Sequence, residues 1–196
     1  FTRSMKLEAW SLGEDYSLVR ILEPKKEKGT ATLKAKDDLF TYLSNTGKTM
    51  KIASGMMGGS WMGSHFTNDD LVQHSRLSED YDISLLFSGE ASGVLVHRFS
   101  LVPRKDAAVV WGKIVISVRQ SDLQPLRELF YDEDGRKVRV LKFSKHQEVQ
   151  GRVIPTRMVM APLDVEGEST TMTWKEIDFG VDLDKGFFTL QKLKSL

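Results

Sequence analysis

The 196-residue chain contains no cysteine. This absence excludes disulfide bonds, thiolate catalysis and zinc sites built from cysteine. The net charge is only +1, because 28 Lys and Arg residues nearly balance 27 Asp and Glu residues. The composition therefore does not predict a nucleic-acid-binding protein. No apolar run approaches the roughly 20 residues that a transmembrane helix needs.

The common catalytic and phosphate-binding motifs are also missing. HExxH, GxSxG and the phosphate-binding loop do not occur. His65, Asp69, Asp70 and His74 come nearest to a metal site, but no second cluster completes a ligand set. The start of a helix explains Asp70, because negative charge is favourable there. The sequence thus predicts no metal and no cofactor, and it favours a binding protein over an enzyme.

Apolar and polar residues alternate with a period of two along most of the chain, as expected for β-strands. Turn signals separate the strands at 45–47, 134–135 and 166–167. Pro155 predicts an edge or a bulge in its strand. About ten strands, several of them long, favour one large curved antiparallel sheet or an open β-barrel. A two-sheet sandwich is the alternative.

Only one helix is indicated. Thr67 would cap it, Asp70 follows three residues later, and Leu71 continues it. The helix would cover about two turns. No linker or repeat divides the chain, so we expect a single domain over residues 1–196.

Several strands carry apolar residues on both faces. In the stretch 107–120 we expect one face to carry Val109, Trp111 and Val115, and the other Val110, Ile114, Ile116 and Val118. One reading is that both faces pack against protein, which is the default role of apolar residues. The other is that one face lines an apolar cavity, because a single short helix cannot cover so much apolar sheet.

The segment 54–73 joins four glycines and three methionines to a tryptophan. Glycine gives the backbone freedom and methionine adapts to varied apolar shapes, so the segment suits a lid over an apolar pocket. It is equally consistent with Trp61 and the methionines packing into the core. The sequence leaves both interpretations open.

The residues also resemble a known family. The stretch "GSHFTNDDLVQ" is similar to the G-S-D-F-S-N-D-D-L segment of the LolA-like proteins, which sort outer-membrane lipoproteins in Gram-negative bacteria. "PLRELFYDEDG" and "GRVIPTRMVMAP" resemble later motifs of that family in the same order. His65 stands where the family tends to have Asp. The resemblance covers about residues 18–193.

The resemblance implies an incomplete antiparallel barrel with a short helical lid, a hydrophobic cavity, and a periplasmic location. The family's first helix would lie before Phe1. We expect that a secretion signal also preceded this residue and was removed. The matched family signature consists of Phe66, Thr67, Asn68, Asp69, Asp70 and Leu71, with no role implied for its members.

The leading hypothesis is a periplasmic carrier or receptor that holds acyl chains of lipoproteins or other lipids for transfer to the outer membrane. An inner-membrane transporter and an outer-membrane acceptor would be its partners. The alternative is a protein-interaction or envelope-stress sensor module on the same fold. The residues predicted to line the cavity or lid are Met5, Leu7, Leu33, Phe40, Met57, Trp61, Met62, Phe99, Trp111, Met158, Met160 and Trp174.

Overall fold

The computed structural model describes residues 2–73 and 76–195. The chain forms two compact units, each built around its own antiparallel sheet. The first unit comprises Phe1–Gly59, Asn68–Ser75 and Asp182–Leu196, and the second comprises Ser60–Thr67 and Arg76–Val181.

The sheet of the first unit has five strands in chain order, each paired with the next. Short connections join them, as expected for an antiparallel meander. The strands are β1 Lys6–Leu12, β2 Tyr16–Glu23, β3 Ala31–Ala35, β4 Asp38–Leu43 and β5 Lys48–Lys51.

The C-terminal segment covers one face of this five-stranded sheet. It contains a 3-10 turn, Lys185–Phe187, and the helix Leu190–Ser195. Its apolar side chains pack on β2 and β3, and each buried Leu or Phe contributes roughly 1.5–3 kcal/mol. The buried members of this cluster are Leu18, Ala31, Leu33, Phe188 and Leu193.

The sheet of the second unit has seven strands, again in chain order. Each of its two longest hairpins has ten residue pairs. The strands are β6 Tyr81–Ala91, β7 Val94–Pro103, β8 Lys113–Arg119, β9 Pro125–Tyr131, β10 Lys137–Val149, β11 Arg152–Pro162 and β12 Thr170–Thr173.

The helices are short. They are α1 Asp70–Gln73, α2 Leu77–Asp80 and α3 Leu190–Ser195, with a further 3-10 turn at Ser54–Met56. The prediction that Thr67 caps a helix is wrong, because α1 begins at Asp70 and Thr67 instead forms a β-bridge with Ser60. In the described residues, no helix has the length and apolar character that crossing a bilayer requires.

The prediction of a mainly antiparallel β protein without a closed barrel is confirmed. The strands number twelve and are divided between two sheets, where the sequence suggested about ten in one sheet. All three predicted hairpin turns lie between paired strands, β4–β5, β9–β10 and β11–β12. Pro155 pairs with His146 of β10 without a change of register, and β12 pairs only with residues 157–160, so β11 is an edge at Pro155, as the sequence predicted.

One predicted face assignment is wrong. Trp111 does not share a face with Val115, because its ring lies edge-on against Phe130, 5.3 Å between centroids, and Phe130 pairs with Ile114. The strand begins only at Lys113. The period-two pattern therefore does not extend back through Gly112 to the tryptophan.

Gly112 is required by a close backbone approach. A Cβ atom added there would lie 2.4 Å from the carbonyl oxygen of Asp132. The Gly112→Ala variant should lose about 1–3 kcal/mol of unfolding free energy, the usual cost of overpacking, measured by urea denaturation. Gly55→Ala is the control, since no atom lies within 4 Å of the added methyl group. Equal stability of the two variants would contradict this account.

Arg119 and Asp122 form a two-bond ion pair in the turn between β8 and β9. Arg119 Nε and Nη2 donate to Asp122 Oδ1 and Oδ2 at 2.8 and 2.5 Å. These bonds, with a further one from the backbone N–H of Gln124, lower the pKa of Asp122 from 3.8 to about 2. The carboxylate is therefore a stabilising group wherever it is ionised.

The Asp122→Asn variant should be less stable than the native protein near neutral pH, and this difference should shrink in acid. Because the pKa of Asp122 is lower in the folded state, its ionised carboxylate stabilises the fold fully above the unfolded-state pKa of 3.8. This stabilisation is lost as the pH falls to about 2. Urea unfolding across that range measures the effect. Asp134→Asn is the control, because Asp134 pairs with Arg136 only at 3.5 Å on an exposed turn. Parallel pH profiles for native and Asp122→Asn proteins would refute the assignment.

Candidate apolar site on the seven-stranded sheet

One face of the seven-stranded sheet is apolar from β6 to β11. The strand register places Ile83, Leu101, Ile114 and Phe130 in one row across it. The next row is formed by Leu85, Phe99, Ile116, Leu141 and Met160, interrupted on β9 by Glu128. We call this surface the apolar face. Such a largely apolar surface needs either a protein cover or a ligand.

The side chains of the apolar face are buried at its centre and exposed to solvent on the β6 side. Ile114 and Met160 are fully buried. Ile83, Leu85 and Leu95 on β6 and β7 are instead 51%, 57% and 55% exposed. Together with the half-buried Phe99, they form what we call the open strip. Large apolar side chains so exposed on one continuous face indicate a binding surface.

A hairpin formed by residues 60–67 carries its own set of local hydrogen bonds. Trp61 N–H donates to the Phe66 carbonyl at 2.8 Å, and Ser64 N–H donates to the Trp61 carbonyl at 3.0 Å. The two residues at the tip, Met62 and Gly63, have φ of 51° and 68°. Positive φ at both central positions is characteristic of a type I′ turn, which suits a tight hairpin. Trp61 and Phe66 are both buried.

Side chains from the apolar face hold this hairpin at His65. Arg139 Nη1 donates to the His65 carbonyl at 3.3 Å. The hydroxyl of Thr170, which pairs with Met160, accepts from His65 N–H at 3.0 Å and lies 2.9 Å from His65 Nδ1. On the other side of the ring, His65 Nε2 lies 3.3 Å from a carboxylate oxygen of Glu168. The hairpin is thus anchored over the β10–β12 part of the apolar face.

Arg139 places a cation within the covered part of the apolar face. It is only 5% exposed. Its guanidinium carbon lies 4.0 Å from the centroid of Trp111 and 4.1 Å from that of Phe130. Stacking on aromatic rings offsets part of the desolvation of a buried guanidinium. The indole Nε1 of Trp111 is buried and has no hydrogen-bond partner among the residues the structure describes.

The second half of the family signature fixes the Gly-Met segment within the first unit. Asn68 N–H donates to the Gly59 carbonyl at 3.0 Å, and its side-chain amide donates to the Met56 carbonyl at 3.1 Å. Asp69 N–H donates to the Met57 carbonyl at 2.9 Å. Asn68 and Asp69 are both buried. These two residues therefore tie down residues 56–59, a structural role that the sequence alone did not suggest.

The structure divides the twelve predicted lining residues between the two units. Within the first unit, Leu33 and Phe40 pair with each other and belong to the core under the C-terminal segment. Leu7 lies on β1, on the opposite face of that sheet, where it pairs with Ile21. Met5 precedes β1 and Met57 follows the 3-10 turn, both half-buried. Their role in binding stays a prediction.

The other seven lie in the second unit. Phe99, Met158 and Met160 are on the apolar face, and Trp111 stacks above it. Trp61 and Met62 belong to the hairpin, and Trp174 follows β12 with its side chain 38% exposed. Of the twelve residues predicted to line the cavity or lid, the structure gathers Phe99, Trp111, Met158 and Met160 on one surface. Trp61 lies in the hairpin that is anchored to this surface.

Sequence reasoning missed three exposed apolar residues of the sheet, Ile83, Leu85 and Leu95. The signal was available as the apolar run in "DISLLFSG", residues 82–89, and in Val94 and Leu95. Trp61 is only 4% exposed, and its role in binding stays a prediction. Met56, in contrast, is largely exposed.

Other parts of the described chain are less suited to a chemical role. In residues 2–73 and 76–195, no three His, Asp or Glu side chains group as metal ligands. His74, named above as a candidate ligand, lies outside the described residues. A pocket of about 260 Å³ in the first unit contains none of the twelve predicted lining residues. Its walls are Ser11, Gly13, Glu14, Tyr16, Ser17, Lys34, Asp70 and Leu71.

Comparison with known proteins supports a family assignment. A family model described as "-like: Uncharacterized protein" matches residues 13–195. The chain belongs to this family. No curated protein matches it. The match spans nearly all of both units.

Three solved structures share the fold of this chain. A domain from Vibrio parahaemolyticus, provisionally assigned as an outer membrane lipoprotein-sorting protein domain, superposes with a TM-score of 0.84 at 24% identity over 97% of this chain and 83% of its own. A LolA superfamily protein from Nitrosomonas europaea gives 0.79 at 22%, over 95% and 82%. A DUF1329 family protein from Desulfovibrio piger gives 0.82 at 26%, over 98% and 84%. The predicted LolA-like fold is thus confirmed.

Replacing Thr170 by Val should loosen the hairpin. The change removes the hydroxyl that contacts His65 N and Nδ1 but keeps the side-chain volume. Losing a hydrogen bond worth about 1 kcal/mol should speed local opening about fivefold. Amide hydrogen exchange at Trp61, Ser64 and Phe66 measures it.

Thr171→Val is the matched control for this experiment, because Thr171 is the neighbouring exposed threonine and its side chain is on the other face of the sheet. Unchanged exchange in Thr170→Val, or the same acceleration in Thr171→Val, would show that the Thr170 hydroxyl does not hold the hairpin.

Proposed function

We propose that this protein is a carrier or receptor that binds the acyl chains of lipoproteins or other lipids on its apolar face. The open strip supports this proposal most directly. Ile83, Leu85 and Leu95 expose more than half of their surface on the face that the rest of the sheet keeps buried. Exposed side chains of this kind are costly to a soluble protein unless they meet a partner.

The energetics are those of hydrocarbon transfer. Each methylene moved from water onto an apolar surface contributes roughly 0.8 kcal/mol. An acyl chain lying over the open strip is sheltered on one side, so several methylenes give appreciable binding while release stays possible. A carrier needs both properties.

The hairpin 60–67 is the natural cover of such a site. It already lies against the apolar face through Arg139 and Thr170, and its Trp61 and Phe66 are buried. In this proposal the whole chain, 1–196, acts as one lipid-binding domain. The match of known structures across 95–98% of the chain supports that view.

The LolA-like fold supports a setting in the periplasm, where a carrier would receive its ligand from an inner-membrane transporter and deliver it to an outer-membrane acceptor. The likeness to a domain assigned to lipoprotein sorting points the same way. Binding without catalysis fits the open strip, whose members Ile83, Leu85, Leu95 and Phe99 all have hydrocarbon side chains.

A second candidate function, a protein-interaction or stress-sensing module, is favoured by one separate observation. Strand β6 is the last strand of its sheet, so the backbone groups along its outer side have no partner strand among the described residues. An extended segment of another protein could add to this edge. Extraction of a bound lipid from the purified protein would support the carrier, whereas binding of an extended peptide along β6 would support the interaction module.

The Leu85→Asn variant should bind a fluorescent fatty-acid analogue roughly tenfold more weakly than the native protein, because losing the contact of one leucine costs about 1.4 kcal/mol or more. Fluorescence titration measures the dissociation constant, and circular dichroism confirms folding. Ser84→Asn is the matched control, since this exposed neighbour pairs with Ser100 on the opposite face.

Equal weakening by Leu85→Asn and Ser84→Asn would point away from the apolar face. Absence of binding by the native protein to any acyl ligand would refute the carrier function and leave the interaction module.

A further inference from the structure

We propose that the face of the seven-stranded sheet opposite the apolar face docks the protein on an anionic lipid bilayer through a group of Lys and Arg side chains. This inference goes beyond the proposed function and does not depend on it, because it concerns other side chains and the phosphate groups of a membrane surface. It follows from where the strand register places the positive charges of the second unit.

A row of cations crosses the sheet on this face. Arg98 on β7 pairs with Ser117 on β8, and Ser117 pairs with Arg127 on β9. Arg127 in turn pairs with Lys142 on β10. Because Phe99 belongs to the apolar face and side chains alternate along a strand, Arg98 and the rest of its row lie on the opposite face. Neighbouring strands are about 4.8 Å apart, so the row is roughly 15 Å long.

Three further cations extend this row in both directions along the strands. Tyr131 pairs with both Lys113 and Lys137, towards the turn between β9 and β10. Arg157 pairs with Ser144, which follows two residues after the last cation of the row on β10. We call the six side chains the basic face: Arg98, Lys113, Arg127, Lys137, Lys142 and Arg157.

The positive charge of the basic face is not balanced within the sheet. In residues 2–73 and 76–195, none of its six members forms a salt bridge. On this face of β6–β11, carboxylates lie only near the strand ends, with Asp82 bonded to Arg104 at 3.2 Å and Glu148 four residues beyond Ser144. A chain with a net charge of only +1 thus concentrates positive charge on one surface.

Apolar and aromatic side chains accompany the cations. Phe87 is 38% exposed and pairs with Arg98, whose guanidinium carbon lies 5.1 Å from the centroid of the ring. The Lys113 ammonium lies 4.1 Å from the centroid of Tyr131. Val102, on the same face, is 48% exposed. Aromatic rings beside lysine and arginine are typical of surfaces that lie at the boundary between water and a bilayer.

An anionic bilayer matches the breadth of the basic face. The face spans roughly 15 Å across the strands, and the seven residues from Lys137 to Ser144 extend it roughly 23 Å along them. A bilayer presents phosphate groups at many positions and needs no fixed register with the protein. An acidic segment of another protein would meet these charges along one line only. Charge complementarity over such an area therefore favours a lipid surface.

The experiment measures sedimentation of the full chain with lipid vesicles. Vesicles of phosphatidylcholine with about 30% phosphatidylglycerol should bind the native protein at about 0.1 M salt, and vesicles of phosphatidylcholine alone should bind it at least tenfold more weakly. Raising the salt concentration to about 0.5 M should release the protein, because salt screens exposed charges.

Variants assign the binding to the basic face. Lys142→Gln should weaken partitioning onto the anionic vesicles about fivefold, the effect of one cation near such a surface, and Lys137→Gln/Lys142→Gln roughly 25-fold. Both lysines are exposed, and circular dichroism checks that the variants fold. Lys48→Gln is the matched control, because it removes the same charge from an exposed position of the first unit. It should change partitioning less than twofold.

The outcomes separate this inference from acyl-chain binding. Equal binding to both kinds of vesicle, equal weakening by Lys48→Gln, or failure to sediment with the anionic vesicles would overturn it. If a polyglutamate peptide binds in place of the vesicles and Lys142→Gln weakens that binding, the partner is an acidic polypeptide and the membrane assignment is wrong. Titration with the fluorescent fatty-acid analogue, which Lys142→Gln should leave unchanged, tests the carrier function separately.

Discussion

The apolar face and the eight-residue hairpin differ greatly in size, and the organisation of the second unit follows from that difference. A hairpin with two large apolar side chains, Trp61 and Phe66, can cover only a few strands of a seven-stranded sheet. The hairpin is anchored at His65 over the β10–β12 part of the apolar face, whereas Ile83, Leu85 and Leu95 on β6 and β7 remain exposed. The open strip thus lies on strands that the hairpin's hydrogen bonds do not reach.

Directional bonds decide where the small cover lies. Apolar contacts alone would let the hairpin slide across a uniformly apolar surface, because such contacts have no preferred direction. Arg139 and Thr170 break that uniformity by presenting polar groups to the backbone of His65. The aromatic rings of Trp111 and Phe130 lie beside the guanidinium of Arg139 and make a buried cation tolerable. A few polar atoms thus set the boundary between the covered and the open surface.

Much of this fold could be predicted from the sequence, since a period of two is a strong signal in long strands such as β10 and β11. The signals that failed were local ones. Thr67 has the spacing of a helix cap but forms a β-bridge with Ser60 within the hairpin. Trp111 precedes strand β8 and does not continue its alternation. The helix α3 was missed because six residues carry too little periodicity. The site was only partly predictable, because burial at Met160 and exposure at Leu85 depend on which strands the hairpin reaches.

Strand β6 contains a bulge between Leu85 and Phe87. It divides the free edge into two stretches of five residues, Tyr81–Leu85 and Phe87–Ala91, whose backbone groups cannot all meet one straight partner strand. A sheet edge rich in isoleucine, leucine and phenylalanine is otherwise a template for fibril growth. The irregularity therefore opposes the continuous pairing of this edge with a straight strand of a second copy.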